Sequence, residues 1–269
     1  MKSVKLTAGE KVRLARDAKR PISLYYIDKL FENFVELKGD RLYGNDGAIV
    51  GGIGLFNNMP VTIIAQAKGR TIEDNIKRNF GMSNPEGYRK ALRLAKQAAK
   101  FKRPIITFVD TPGAYPGVGA EERGQAESIA RNLMIFMEIP VPIISIVIGE
   151  GGSGGALALT VSDYIAMLEN SIYSVLSPEG FSSILWKDSS RASEAAELMK
   201  LTAKDLLDYK IIDEIIKEPK EGIHLNPEYV TTQIRNTLET NLKSLMKQNP
   251  DTILQNRYEK FRKLGKEYV

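Results

Sequence analysis

Two apolar, β-branched runs that each lead into a glycine-rich turn dominate the hydrophobic pattern of the chain. The runs lie at residues 104–109 and 142–148, and their unbroken Ile, Val and Phe content is typical of strands buried on both faces. A turn and then a helical pattern follow each run. Because consecutive parallel units bring their turns to the carboxyl end of one sheet, we expect both turns to face a single crevice.

Further elements follow from the same periodicities. A stripe of apolar residues at helical spacing predicts one helix between residues 21 and 38; its members are Leu24, Ile27, Phe31, Phe34 and Leu37. Asn57-Asn58 joins two apolar runs and predicts a hairpin, because asparagine tolerates the positive φ of a two-residue turn. The other predicted elements are helices at 85–101, 121–138, 177–186, 191–208, 227–248 and 251–265, and strands at 48–56, 60–67, 164–168, 172–176 and 211–216.

Packing directions follow for the helical region at 191–208. Its apolar positions are expected to point inward; they are Leu198, Met199, Leu206 and Leu207.

The 269 residues are 43% hydrophobic and 26% charged, which is ordinary for a globular chain and allows a substantial core. No flexible linker interrupts the pattern, so we expect one domain at residues 21–225 with helical ends. Residues 1–20 form a basic arm, which is either a solvated segment or a docked helix. Residues 226–269 carry two helices of the same domain and are candidates for subunit contacts.

Several kinds of site are excluded by residues that the chain lacks. Without cysteine it cannot form disulfides, thiolate zinc sites or a cysteine nucleophile, which agrees with a cytoplasmic location. His224 is the only histidine, so a multi-histidine site within one chain is impossible and we expect no metal. The basic start lacks the apolar region of a signal peptide, and no apolar run is long enough for a membrane span.

The net charge of +5 favours an acidic partner or ligand. Nucleic acid is not expected, because basic residues alternate with acids and no known nucleic-acid module matches.

Residues 149–155 contain five glycines and form the first candidate binding turn. Good helix formers follow from Ala156, so the next helix begins on bare backbone. The first N–H groups of a helix lack internal partners and carry about half a positive charge, and glycine allows a ligand to approach them. Such a turn can bind a phosphate or a developing oxyanion.

Four explanations of this turn are open. A nucleotide phosphate loop is weak, because no Lys-Ser or Lys-Thr follows the glycines. A nucleophile elbow is formally present, since residues 151–155 satisfy G-x-S-x-G and Ser153 with His224 would make a serine hydrolase, although His224 is interpreted as a surface residue. An oxyanion hole of backbone N–H groups would leave Ser153 a bystander. The glycines can also serve only close packing of helix against strand.

The second candidate turn, residues 110–117, contains two prolines and two glycines. Its Asp-x-x-Gly pattern resembles the magnesium-linked turn of GTPases, but that explanation fails without a phosphate loop. We expect a rigid wall with exposed backbone instead. The polar residues 68–79 are expected to form a solvated loop, with contact to phosphates or an acidic carrier as the alternative.

Four long stretches together resemble the α subunits of bacterial acetyl-coenzyme A carboxylase carboxyltransferase. They are RNFGMSNPEGYRKALRLAKQAAKF, PIITFVDTPGAYPGVGAEERGQAESIARNL, VIGEGGSGGALAL and SPEGFSSILWK. The resemblance extends from about Pro21 to Pro227, and such strings are far more specific than G-x-S-x-G. It implies an α/β fold of the crotonase (enoyl-CoA hydratase-like) superfamily, in which ββα units coil into a spiral and helical extensions build oligomers.

The resemblance also implies a reaction, the transfer of a carboxyl group from carboxybiotin to acetyl-CoA. The product is malonyl-CoA, and the step is the first committed one of fatty acid synthesis. By match to the family motif, Gly154 and Gly155 are the backbone donors to the biotin ureido oxygen. The residues implied in substrate binding are Gly113, Ala114, Tyr115, Pro116, Gly117, Gly151, Gly152 and Ser153.

Several partners are implied by the same resemblance. Biotin is carried on the biotin carboxyl carrier protein, and a separate biotin carboxylase uses ATP. A β subunit with a zinc ribbon holds most of the CoA pocket, and the assembly is an α₂β₂ heterotetramer, so this chain alone should be inactive. Many family members have a longer arm ahead of the position of Pro21, which leaves the role of this chain's arm open.

Overall fold

The computed structural model describes residues 6–220 and 222–266. Predictions for residues 1–5, for position 221 and for residues 267–269 fall outside the described residues. The strands are β1 Glu32–Glu36, β2 Ile49–Phe56, β3 Met59–Gln66, β4 Ile105–Thr111, β5 Ile143–Gly152, β6 Tyr164–Leu168, β7 Ile172–Ser174 and β8 Glu214–Ile216. The helices are α1 Ala8–Ala15, α2 Ser23–Leu30, α3 Ile72–Lys77, α4 Pro85–Lys100, α5 Val118–Glu122, α6 Gln125–Glu138, α7 Ser153–Leu157, α8 Pro178–Trp186, α9 Ala192–Met199, α10 Ala203–Asp208, α11 Pro227–Leu245 and α12 Pro250–Lys263.

The strands form one sheet in the order β1-β2-β3-β4-β5-β6-β8, and β7 pairs with β5 off this path. The first three strands pair antiparallel, and the pairs from β3 onward are parallel. The start of β5 pairs with β6, whereas its last residues, Glu150 to Gly152, pair with β7. Because β4 and β5 are parallel neighbours, both glycine-rich turns leave the sheet at its carboxyl end, as predicted.

Helices cover both faces of the sheet, which explains the unbroken apolar runs. Ile105 and Val109 of β4 belong to a core that includes Leu94 of α4 and Phe136 of α6. The alternate β4 residues face a second core with α2 and α11. Since a strand directs successive side chains to opposite faces, each face of β4 needs its own apolar residues.

The ends of the chain pack on this body. Val12 of α1 is buried with Ala196 and Leu201, so the described part of the arm is a docked helix and not a solvated segment. On α11, Ile234 and Leu238 are fully buried against the sheet. The two C-terminal helices are thus confirmed, while their role in subunit contact and the domain limits stay predictions.

The single helix predicted between residues 21 and 38 is wrong in its second half. Helix α2 ends at Leu30, and β1 begins at Glu32 and pairs antiparallel with β2. Asn33 has φ +51 at an irregularity in this pairing, and Phe34, the aromatic residue of the strand, is half-buried. Pairing with β2 therefore outweighed the helical pattern.

Two other predicted helices are broken. Gly124, with φ +83, separates α5 from α6 within the expected helix at 121–138. Lys200, with φ +52, ends α9 ahead of α10. Leu206 is buried, but Leu198 is 58% and Leu207 37% exposed, so the inward orientation predicted for these two residues is wrong.

The hairpin is confirmed, with φ +47 at Asn57 and +63 at Asn58. Among the described residues, no helix combines the length and apolarity needed to cross a bilayer.

Candidate functional site

The glycine turn of residues 149–155 connects β5 directly to the short helix α7. The strand extends to Gly152, and the helix begins at Ser153 rather than at Ala156 as the composition suggested. In the part of the chain that the structure describes, no side chain caps this helix start. The N–H groups of Ser153, Gly154 and Gly155 occupy its first turn, where a helix supplies no internal partners.

The glycines allow this turn to pack directly on the second turn. A Cβ atom on Gly155 would lie 2.7 Å from the Ala114 nitrogen and 2.8 Å from the Gly113 carbonyl carbon. A Cβ atom on Gly152 would overlap the Pro112 carbonyl. The close-packing explanation is therefore correct for these two glycines.

Gly154 has a different environment. A Cβ atom there would meet Ile129 of α6 at 3.5 Å, an ordinary contact. Close packing therefore does not account for a glycine at this position.

The facing wall, residues 113–117, is held by main-chain and side-chain hydrogen bonds. The Thr111 hydroxyl donates to the Gly113 carbonyl at 2.7 Å. The Tyr115 amide donates to the Ser83 carbonyl at 3.0 Å, and the buried Gln125 amide donates to the Tyr115 carbonyl at 2.9 Å. The expected wall thus lies beside the glycine turn, and its rigidity stays a prediction. It consists of the sequence-predicted residues Gly113, Ala114, Tyr115, Pro116 and Gly117.

Ser153 and His224 do not form a catalytic pair. Ser153 is exposed and has φ +53 at the start of α7. His224 is also exposed and lines a groove with Lys11, Asn170 and Glu218. Among the described residues, no part of the glycine turn lines that groove. The serine hydrolase alternative is therefore not supported.

A charged network that the sequence analysis missed lies under the glycine turn. Lys68 Nζ is 2.7 Å from Asp110 Oδ1 and 3.0 Å from Glu150 Oε2. Arg16 Nε, at the end of α1, is 2.7 Å from Glu150 Oε1, and its Nη1 is 2.7 Å from Glu179 Oε1. Lys68 is thus part of an ion-pair network and not of the solvated loop that was expected.

Electrostatics keep this network charged. Burial opposes the charge on Lys68, but the adjacent carboxylates of Asp110 and Glu150 outweigh it and raise the pKa of the amine above its usual 10.5. Burial likewise opposes the charge on Glu150, and Lys68 and Arg16 outweigh it and lower the pKa of that carboxyl below 4.5. Each carboxylate beside the turn therefore has a cation partner and repels an anionic ligand less strongly than an unpaired carboxylate would.

The described residues contain no cluster of three potential metal ligands. The first turn of α7 offers backbone N–H groups as hydrogen-bond donors, next to the wall of residues 113–117 and a neutralised charge network.

Comparison with known proteins identifies relatives across nearly the whole chain. The model of a family described as acetyl co-enzyme A carboxylase carboxyltransferase-like matches residues 2–265. The acetyl-coenzyme A carboxylase carboxyl transferase subunit alpha of Clostridium perfringens is 60% identical over 257 residues, which are 96% of this chain and 95% of that protein. The subunits beta/alpha protein of Clostridium tetani is 60% identical over 261 residues, 97% of this chain but only 45% of that longer protein.

Solved structures with the same architecture have low sequence identity. Transcarboxylase 12S gives a TM-score of 0.67 at 20% identity, over 86% of this chain and 44% of that one. The beta subunit of geranyl-CoA carboxylase from P. aeruginosa gives 0.66 at 14% identity, over 91% and 46%. A Pseudomonas malonate decarboxylase hetero-tetramer gives 0.65 at 15% identity, over 84% and 93%. These similarities concern the fold, and together with the mixed sheet and its covering helices they confirm the predicted α/β class.

Proposed function

Because the chain belongs to the acetyl co-enzyme A carboxylase carboxyltransferase-like family, we propose that it is the alpha subunit of an acetyl-CoA carboxylase carboxyltransferase. The reaction is transfer of a carboxyl group from carboxybiotin to acetyl-CoA, which forms malonyl-CoA. The observation that carries this proposal is the 60% identity to a protein of that name, with 96% of this chain and 95% of the relative covered.

The backbone N–H groups of Gly154 and Gly155 are proposed as the oxyanion hole. Carboxybiotin, when bound, supplies the carboxyl group and leaves negative charge on its ureido oxygen. The N–H groups in the first turn of α7 bind that oxygen, and each such donor stabilises the developing charge by about 3 kcal/mol. The uncapped helix start fits this role, because no side chain of the turn competes for the donors.

Two surfaces are proposed to orient the substrate. Residues 113–117 form one wall, and the backbone of Gly151, Gly152 and Ser153 forms the other. The two are in direct contact behind the site, where Gly155 packs on Ala114. A ligand that contacts both surfaces is held in one orientation, which keeps reacting atoms at a fixed distance.

The remaining proposals concern partners. Biotin is carried on the biotin carboxyl carrier protein, and a separate biotin carboxylase loads it. A β subunit with a zinc ribbon supplies most of the CoA pocket in an α₂β₂ heterotetramer in the cytoplasm. A relative whose name includes both subunits, beta/alpha, supports a β partner, since one chain that contains two subunits indicates that they act together.

Reconstitution tests this function. The chain is co-expressed with a zinc-ribbon β subunit, the complex is purified, and malonyl-CoA formation from carboxybiotin and acetyl-CoA is measured. We expect activity in the complex and none in either chain alone. A stable complex without carboxyl transfer would refute the proposal.

A further inference from the structure

The helix that carries the glycine N–H groups is too short to hold its own position. Helix α7 spans only Ser153–Leu157, and a single turn costs more conformational entropy than its hydrogen bonds return. The Ala158 amide donates to the Gly154 carbonyl at 3.0 Å, but the Leu159 amide donates to the Ala156 carbonyl. No main-chain amide of residues 6–220 or 222–266 therefore donates to the Gly155 carbonyl.

A buried side chain satisfies that carbonyl. Gln66, the last residue of β3, is fully buried, and its Nε2 donates to the Gly155 carbonyl oxygen at 2.7 Å. Its Oε1 has no hydrogen-bond partner among the described residues. The bond to Gly155 is therefore what fixes the orientation of the side-chain amide.

Two hydroxyl groups hold the other end of the helix. Thr107 Oγ1 and Ser145 Oγ, which face each other across β4 and β5, donate to the Leu159 carbonyl at 2.8 and 3.0 Å. Both side chains are fully buried, and their neighbours along the strands, Ile106, Phe108, Ile144 and Ile146, are apolar. Buried polar groups are costly unless they are hydrogen-bonded, so polar residues at these points indicate a positional requirement on α7.

We propose that Gln66 is a positioning residue that sets the direction of the Gly154 and Gly155 N–H groups. Glycine has little intrinsic preference for its backbone angles, so the peptide planes around Gly155 depend on external bonds. The Ala158 amide holds the plane that contains the Gly155 N–H through the Gly154 carbonyl. The bond from Gln66 fixes the next plane, so the two bonds together restrict the backbone angles of Gly155. This inference rests on the proposed function for its effect on catalysis, but not for its effect on the helix.

The first test measures the helix and needs no activity. Gln66→Met removes the donor and approximately keeps the volume. We expect amide hydrogen exchange at residues 153–159 to become about ten-fold faster, because a lost buried hydrogen bond shifts a local opening equilibrium by about that factor. Gln97→Met, which changes a partly buried glutamine on α4, is the matched control and should leave that exchange unchanged. Unchanged exchange in Gln66→Met would overturn the proposal.

The second test measures catalysis in the complex with the β subunit. Gln66→Met should lower kcat by about ten-fold with the KM for acetyl-CoA unchanged, since loss of a direct oxyanion donor costs about a hundred-fold or more and misalignment costs less. Faster exchange with an unchanged kcat would support the positioning role and refute the oxyanion hole of the proposed function.

The pH dependence of kcat distinguishes loss of this hydrogen bond from a purely structural effect of the substitution. In Gln66→Glu the introduced carboxyl is buried, so it retains its proton to higher pH and can then donate to the Gly155 carbonyl. The kcat of this variant should rise relative to that of Gln66→Met as the pH falls from about 8 to about 6. A parallel pH dependence of the two variants would count against the hydrogen bond as the cause.

Discussion

Substituting alanine for each of two neighbouring glycines tests how the glycine turn packs. In Gly155→Ala the new Cβ atom would lie 2.7 Å from the Ala114 nitrogen and 2.8 Å from both the Gly113 carbonyl carbon and the Tyr88 hydroxyl. Two of these three atoms belong to the backbone, so the facing wall must move. Overpacking of this kind costs about 1–3 kcal/mol.

Gly154→Ala is the matched comparison. Its Cβ atom would meet Ile129 at 3.5 Å without a clash, and alanine in a helix is favoured over glycine by up to about 1 kcal/mol. We therefore expect the free energy of unfolding of Gly155→Ala to be about 2 kcal/mol below that of Gly154→Ala.

Urea unfolding of the two purified variants, followed by circular dichroism, measures this difference. The slopes of the transitions should agree, so that the midpoints report stability. Equal midpoints would show that the turn does not pack on residues 113–114 as described, and the account of the wall would fail.

Three further predictions concern stability. Ser153→Gly should raise the free energy of unfolding by about 1 kcal/mol in thermal unfolding, because it relieves the positive φ of +53, and a destabilised variant would contradict this. Lys68→Met should cost about 3 kcal/mol at neutral pH, because it leaves the carboxylates of Asp110 and Glu150 without their shared cation. The lowered pKa of Glu150 contributes stability that is present above pH 4.5 and is lost as the pH falls through the pKa of this carboxyl in the folded state. The raised pKa of Lys68 contributes stability that is present below pH 10.5 and is lost as the pH rises through the pKa of this amine in the folded state. The difference in free energy of unfolding between Lys68→Met and the unaltered chain should therefore become smaller at low pH and at high pH. Unfolding curves recorded over a series of pH values measure it, and a difference that does not change with pH would exclude the ion pairs as its source. Arg257→Met should lower the free energy of unfolding in urea by at least about 3 kcal/mol. The fully buried guanidinium donates hydrogen bonds to Asp163 and to the carbonyls of Phe136, Ile139 and Val141. A loss below about 1 kcal/mol would show that these bonds are dispensable.

The parts of the fold that the sequence predicts well are those in which local pattern and tertiary packing agree. The apolar runs of β4 and β5 are buried on both faces, and the asparagine pair at 57–58 makes the expected turn. The stripe from Leu24 to Leu37 fits a helix equally well throughout, yet its second half is a strand. The deciding factor is pairing with β2, which a local pattern does not contain.

The candidate site likewise has a part that local sequence predicts and a part that depends on tertiary packing. Sequence motifs identify the two glycine turns, because glycine and proline determine the local backbone conformation. They do not reveal that Lys68 and Glu150 form an ion pair, or that Gln66 holds the Gly155 carbonyl, since these contacts join strands through the topology of the sheet. Polar residues at the ends of otherwise apolar strands are the one available signal, and Gln66 at the end of β3 carries it.

The backbone N–H of Gly155 is proposed to stabilise negative charge during carboxyl transfer. Replacement of Gly155 by glycolic acid, introduced during translation, converts this amide to an ester and removes the N–H without adding any atom that would clash. In the complex with the β subunit, kcat should fall by about a hundred-fold or more while the KM for acetyl-CoA stays unchanged. A folded complex that retains its full kcat after this single replacement would contradict the account.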